Sequence, residues 1–218
     1  MAYSDFNLSR VAERFGLAIA ERDLYRDTPE LAASPLLQGV LDRYRPLARA
    51  IGTEKARSEF LIAPILAEVR YRLDDQVSLF SGIDLPAAPE QGLNGVCDFL
   101  FSRSPQQLFL TRPIIAVVEA KNENLATGFG QCIAEMIGAR IFNQNKQVTE
   151  PVMFGVVTTG TLWRFLRMEA DIVEMDDPEY PVEQTNKILG ILHAMLGPAG
   201  RPIDAGSPGG PGTTKGQR

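Results

Sequence analysis

The chain has 218 residues, enough for one domain with a sizeable core. Its hydrophobic content of 44% and charged content of 22% are those of a globular protein, and its apolar runs fall short of the ~20 residues that cross a bilayer. A single histidine and two cysteines outside any CxxC pair exclude a Cys/His zinc site, and the net charge of −5 argues against a strong non-specific DNA binder.

No basic-then-apolar leader is visible, so the expectation is a cytoplasmic protein without a membrane partner. The acidic balance is uneven. Residues 169–183 hold Glu169, Asp171, Glu174, Asp176, Asp177, Glu179 and Glu183 and no Lys or Arg; outside them 22 basic residues face 20 acidic ones. A local basic surface is therefore compatible with the composition.

Apolar positions at helical spacing predict helices over residues 7–20 and 35–51, the latter carrying Leu36, Leu37, Val40, Leu41, Tyr44 and Leu47. Thr53 suits an N-cap and Glu54 a first turn, so a further helix is expected from there to about Leu73. Pro64 inside it cannot donate to the carbonyl of Phe60, which predicts a kink. Strands are expected at 77–83, 95–102, 113–120, 151–158 and 161–168, with a short one at 172–175 and a tight turn at Thr159-Gly160. Helices are expected over roughly 126–143 and 182–196. Consecutive strands without intervening helices favour antiparallel pairing and a helical crossover favours parallel pairing, which together give a mixed sheet. Residues 198–218 are rich in Gly and Pro and are expected to form a disordered tail.

Chemistry concentrates in two of these strands. Val117-Val118-Glu119-Ala120-Lys121 closes an apolar run, and a strand's period of two puts Glu119 and Lys121 on one face. Of the chain's five lysines, only Lys121 has an acid two residues before it. Asp98 lies mid-strand in Val96-Cys97-Asp98-Phe99, where aspartate is disfavoured. Buried charges need compensation, and a divalent cation beside a lysine suggests phosphodiester hydrolysis. Other readings stay open: an ion pair at a strand end for Glu119 and Lys121, and a structural acceptor for Asp98. Glu59 reads equally as a solvent-facing helix residue, and Gln131 with Glu135 at i, i+4 as a polar surface pair. Cys97 is read as a small buried hydrophobe.

In order, Glu59 on a helix, Asp98 in a strand, Glu119-Ala120-Lys121 in the next and Gln131 on the following helix resemble the PD-(D/E)XK nuclease superfamily. The hairpin around Thr158–Phe165 is similar to that of the N-terminal nuclease domains of type I restriction subunits and their stand-alone relatives. The resemblance spans roughly residues 53–175, with Cys97 standing where the family name implies proline.

The resemblance implies an α+β fold with a restriction-endonuclease-like core of order α-β-β-β-α-β, a C-terminal β-hairpin, extra N-terminal helices and a final helix. Residues 1–52 would be a helical extension and 53–197 the core. Asp98, Glu119 and the carbonyl of Ala120 would hold Mg²⁺ or Mn²⁺. Glu59 would serve a second metal or a water, Lys121 would orient the attacking water, and Gln131 would position the nucleic-acid backbone or Lys121. The function expected is a magnesium-dependent endonuclease, a hydrolase binding DNA in restriction, repair or defence. An inactive nuclease-fold module for DNA or protein binding is the alternative. So is a subunit needing a separate helicase or translocase, and a homodimer would suit double-strand cutting.

Overall fold

Eight strands join into one mixed sheet flanked by helices on both faces in the computed structural model of the chain, which describes residues 1–197. The strands are β1 (Ala18–Arg22), β2 (Ser78–Asp84), β3 (Val96–Ser102), β4 (Ile114–Ala120), β5 (Val152–Thr158), β6 (Leu162–Glu169), β7 (Ile172–Asp176) and β8 (Tyr180–Pro181). Their order across the sheet is β1-β7-β6-β5-β4-β3-β2, with β8 pairing β6. Two pairs are parallel, β1 with β7 and β4 with β5; the others are antiparallel.

The helices are α1 (Leu8–Phe15), α2 (Pro35–Ile51), α3 (Glu54–Arg57), α4 (Ala63–Arg72), α5 (Phe129–Asn145) and α6 (Thr185–Leu196). The parallel β4–β5 pair needs a crossover, and α5 supplies it. Cys132, Ile133, Met136 and Ile137 of α5 pack with Leu100, Val117 and Val157 on one sheet face. On the other face Leu61, Ile65, Leu66, Val69, Ile188 and Leu192 pack with Phe99, Phe101, Val118 and Phe165. Neither α4 nor α5 has a solvent-facing side wide enough to give a strong helical periodicity, as expected for helices with apolar residues on several sides.

Several boundaries differ from the sequence expectation. The helix predicted over 7–20 ends at Phe15, because Gly16 adopts a left-handed conformation that caps it. Residues 18–22 then extend and pair with β7, so the N-terminal extension is not wholly helical: it contributes a sheet strand. The helix predicted from Thr53 forms, with the Thr53 hydroxyl accepting the N–H of Ala56. Its irregularity is a π-helical turn over Ser58–Ile62, which immediately precedes Pro64 and links α3 to α4. Helix α5 begins three residues late, after a 3₁₀ turn at Leu125–Thr127, and α6 follows another at Val182–Gln184. Strand β8 had no counterpart in the sequence pattern. The tail expected at 198–218 lies outside the described residues. Among those residues no helix is long and apolar enough to cross a membrane.

Candidate functional site

Strand register brings the two acids of β3 and β4 to one face. Phe99 pairs with Val118 and Leu100 with Val117, so one further step along the antiparallel ladder sets Asp98 opposite Glu119. Opposed residues of such a pair share a face. That face is the one covered by α5, since Leu100 and Val117 belong to the α5-side cluster. The link is also direct: the N–H of Ala120 donates to Asp98 Oδ2 at 2.8 Å.

Lys121 follows β4 with its own N–H donating to the Thr158 carbonyl of β5 at 2.8 Å. Its side chain turns back along the same face. The Nζ donates to Glu119 Oε1 at 2.5 Å and to Gln131 Oε1 at 3.1 Å. The Gln131 Nε2 donates in turn to Glu135 Oε1 at 3.0 Å, one helical turn further along α5. Glu135 and Glu119 are themselves in contact through their carboxyls. The four residues thus form a closed ring that spans β4 and α5.

This ring lies under cover. Glu119 is 2% exposed and Glu135 0%. Neither Glu119 Oε2 nor Glu135 Oε2 receives a hydrogen bond from the described residues. Two carboxylates cannot sit face to face in a dry interior without a shared proton or a cation. Burial, then the neighbouring Glu119, holds Glu135 well above the usual carboxylate range. Burial and Asp98 push Glu119 up to about 7, against the pull of Lys121. Asp98 is raised by burial, an effect offset in part by the Ala120 N–H and by Lys121. Burial draws the Lys121 ammonium down, but Glu119, Glu54 and Asp98 outweigh it and leave the group more basic than usual.

Of the sequence-predicted site residues, Asp98, Glu119, Ala120, Lys121 and Gln131 come together at the ends of β3, β4 and α5. Glu59 does not join them. It sits in the π turn, its side chain 53% exposed, and pairs with Lys55 at 3.0 Å. The i, i+4 spacing of Lys55 and Glu59 is the signal that marks a solvated helix face. Glu54, exposed in the first turn after the Thr53 cap, adds a smaller charge effect that favours the Lys121 ammonium. Helix α3 is tied to the site by Arg57, whose Nη1 donates to the carbonyl of Asn122.

Two further residues escaped the sequence reading. Glu135, for which a polar surface pair with Gln131 was an open reading and no site role was assigned, is the most deeply buried acid of the cluster. Gly128 ends the turn before α5, and a Cβ there would lie 2.6 Å from Val157 Cγ1 and 3.0 Å from Lys121 Cγ. The absent side chain lets α5 settle onto the stem of Lys121. A glycine directly before a helix that must touch a neighbouring strand is the cue for such a contact.

Among the described residues no group of three or more His, Cys, Asp or Glu side chains is gathered as a metal centre. Two carboxylates do converge, and Mg²⁺ is commonly held by one or two carboxylates with water and substrate oxygens completing its shell. The donor set here is all oxygen, which suits a hard cation, and Glu119 Oε2 is a buried oxygen without a donor. The residues therefore fit Mg²⁺ or Mn²⁺. No family model, curated protein or solved structure matches the chain.

Proposed function

We propose that the chain is a metal-dependent nuclease of the PD-(D/E)XK kind, hydrolysing DNA phosphodiester bonds. The observation that carries this reading is the convergence of Asp98, Glu119 and Lys121 from two adjacent strands, beside Gln131 of the crossover helix. Element order supports it. The helical segment 54–72, three antiparallel strands β2–β3–β4, helix α5 and a parallel strand β5 succeed one another as a restriction-endonuclease-like core requires.

Hydrolysis needs an activated water, charge neutralisation at the scissile phosphate and a stabilised leaving oxygen; a bound Mg²⁺ or Mn²⁺ supplies Lewis-acid chemistry for these. Asp98 and Glu119 would hold it, with the Ala120 carbonyl beside them. Lys121 keeps its proton in this acidic surrounding, so it acts as a fixed positive charge that orients water and faces the phosphate. Gln131 holds the ammonium from the helix side.

The acids of β7 do not oppose a DNA partner as strongly as the composition suggests. Glu174 is neutralised by Arg22 and Arg167, and Asp176 is turned inward to Tyr180 and the N–H of Leu24. A second reading, a nuclease-fold binding module without activity, draws on the closure of the ring: Lys121 and Glu119 already satisfy one another. Incubation of supercoiled plasmid and of single-stranded DNA with Mg²⁺ or Mn²⁺ separates the two. The proposal expects nicking or linearisation by the wild type and at least about a 100-fold loss in Lys121→Ala. Cleavage by neither protein on any DNA form contradicts activity of the chain by itself. It favours the binding module or a subunit that works with a separate helicase or translocase.

A further inference from the structure

A carboxyl at the centre of a helix–sheet interface demands a reason. Glu135 is flanked along α5 by Cys132, Ile133, Ala134 and Met136, all fully buried, and it is itself fully buried. Burying a carboxyl costs several kcal/mol unless its hydrogen bonds are made. Among the described residues it makes no ion pair with an Arg or Lys. Its partners are the amide of Gln131 and the carboxyl of Glu119. An apolar residue would serve packing better, so the polarity of Glu135 is spent on these two contacts.

We propose that Glu135 is the positioning residue of the site, fixing the amide of Gln131 in the one orientation that receives Lys121. The inference rests on the nuclease reading only for the purpose of the positioning, not for its geometry. A primary amide has donors on one side and an acceptor on the other. Glu135 Oε1 accepts from Nε2 at 3.0 Å, which leaves Oε1 of Gln131 aimed at Lys121 Nζ, 3.1 Å away. Flipping the amide would set oxygen against oxygen at Glu135 and N–H against ammonium at Lys121. The contact at Lys121 repels outright, and the contact at Glu135 survives only if its proton turns toward Gln131, so the two neighbours together hold the amide in one orientation. Glu135 also neighbours Glu119, the other acceptor of the Lys121 ammonium.

The test reads the amine and needs neither metal nor DNA. The purified chain is treated with a water-soluble acetylating ester, and the acetylation rate of each lysine is followed by peptide mass spectrometry. Lys55, which is largely exposed, is the internal reference. Glu135→Met and Gln131→Met should each raise the rate at Lys121 by about fivefold, the loss of one hydrogen bond's restraint, with Lys55 unchanged. Glu135→Gln keeps an acceptor for Gln131 and should restore the wild-type rate. Combining Glu135→Met with Gln131→Met should add nothing to either alone. If Glu135→Met does not fold, Gln131→Met and Glu135→Gln still decide: an unchanged Lys121 rate in the first, or a wild-type rate lost in the second, overturns the assignment. Additive effects in the double variant overturn it as well, since they show Glu135 acting on Lys121 by another route. Absence of DNA cleavage in every variant would count against the nuclease reading and leave this readout intact.

Discussion

The N–H of Ala120 points across the β3–β4 pair into the carboxylate of Asp98, 2.8 Å away. One strand thereby uses its backbone to hold an acid of its neighbour beside its own Glu119. The arrangement occupies a single oxygen of Asp98 and keeps its charge close to a second carboxyl.

Replacing Asp98 by asparagine tests what that charge is for. The amide of Asp98→Asn still offers an oxygen to the Ala120 N–H, so the fold should persist. The apo protein should be as stable as the wild type or slightly more so once a like charge is gone. Binding of Mn²⁺ by calorimetric titration should weaken by more than about 100-fold, because a direct ligand is lost. Undiminished binding would contradict the role assigned to Asp98.

Stability should depend on pH through the Glu119–Glu135 pair. Both carboxyls titrate higher in the folded chain than in the unfolded one, Glu119 at about 7. Between the unfolded value near 4.5 and that folded value, the native state holds more protons. The contribution of the pair is therefore complete at low pH and is lost as pH rises through 7. Glu135→Gln removes one of the two titrating groups, so it should exceed the wild type in stability at pH 8, with the gap shrinking toward pH 5. Urea denaturation of both proteins at the two pH values measures it. The comparison cancels His193, whose pKa is lowered by burial and by Arg72 and which shifts stability in the opposite direction. A gap that is constant with pH would contradict the raised titration of the two carboxyls.

Gly128→Ala isolates the seating of α5. The backbone there is in an ordinary right-handed conformation, so an added methyl meets only neighbours: Val157 Cγ1 at 2.6 Å and the Lys121 stem at 3.0 Å. Overpacking of this kind should cost about 1–3 kcal/mol, read from the midpoint of urea unfolding. A change below about 0.5 kcal/mol would show that the helix is free to lift at that end.

Glu54 and Glu59 lie in consecutive segments of one helix yet differ in what they touch. Glu54 bears on the charge of Lys121, whereas Glu59 faces solvent and pairs with Lys55. In a DNA cleavage assay Glu59→Gln should match the wild type, and Glu54→Gln should lower the rate by severalfold. The reverse ranking would restore Glu59 to the site.

Much of this arrangement was legible because strand patterns are strict. The period of two placed Glu119 and Lys121 on one face, and an aspartate in an apolar strand marked Asp98. Helix α2 was readable to the residue, from Pro35 to Ile51, because its stripe and its terminal Gly52 are unambiguous. Failure came where tertiary contact overrode local pattern. The helical periodicity read over 7–20 takes in residues 18–20, and only β7 makes them part of a strand. Glu59 was read equally as a solvent-facing residue, and its exposed pairing with Lys55 follows that alternative, since helical spacing does not reveal which turn abuts the end of a distant strand. Whether Glu135 was a surface residue stayed open because sequence alone cannot show that α5 is covered on nearly every side.

The nuclease reading depends on Asp98 and Glu119 trapping a hard dication beside Lys121. Crystals of the chain soaked in Mn²⁺ and measured at a wavelength where manganese scatters anomalously test this directly. The expected result is one anomalous peak within coordination distance, about 2.2 Å, of a carboxylate oxygen of each acid. A complete data set with no peak between them, or with manganese bound only at other sites, would contradict it.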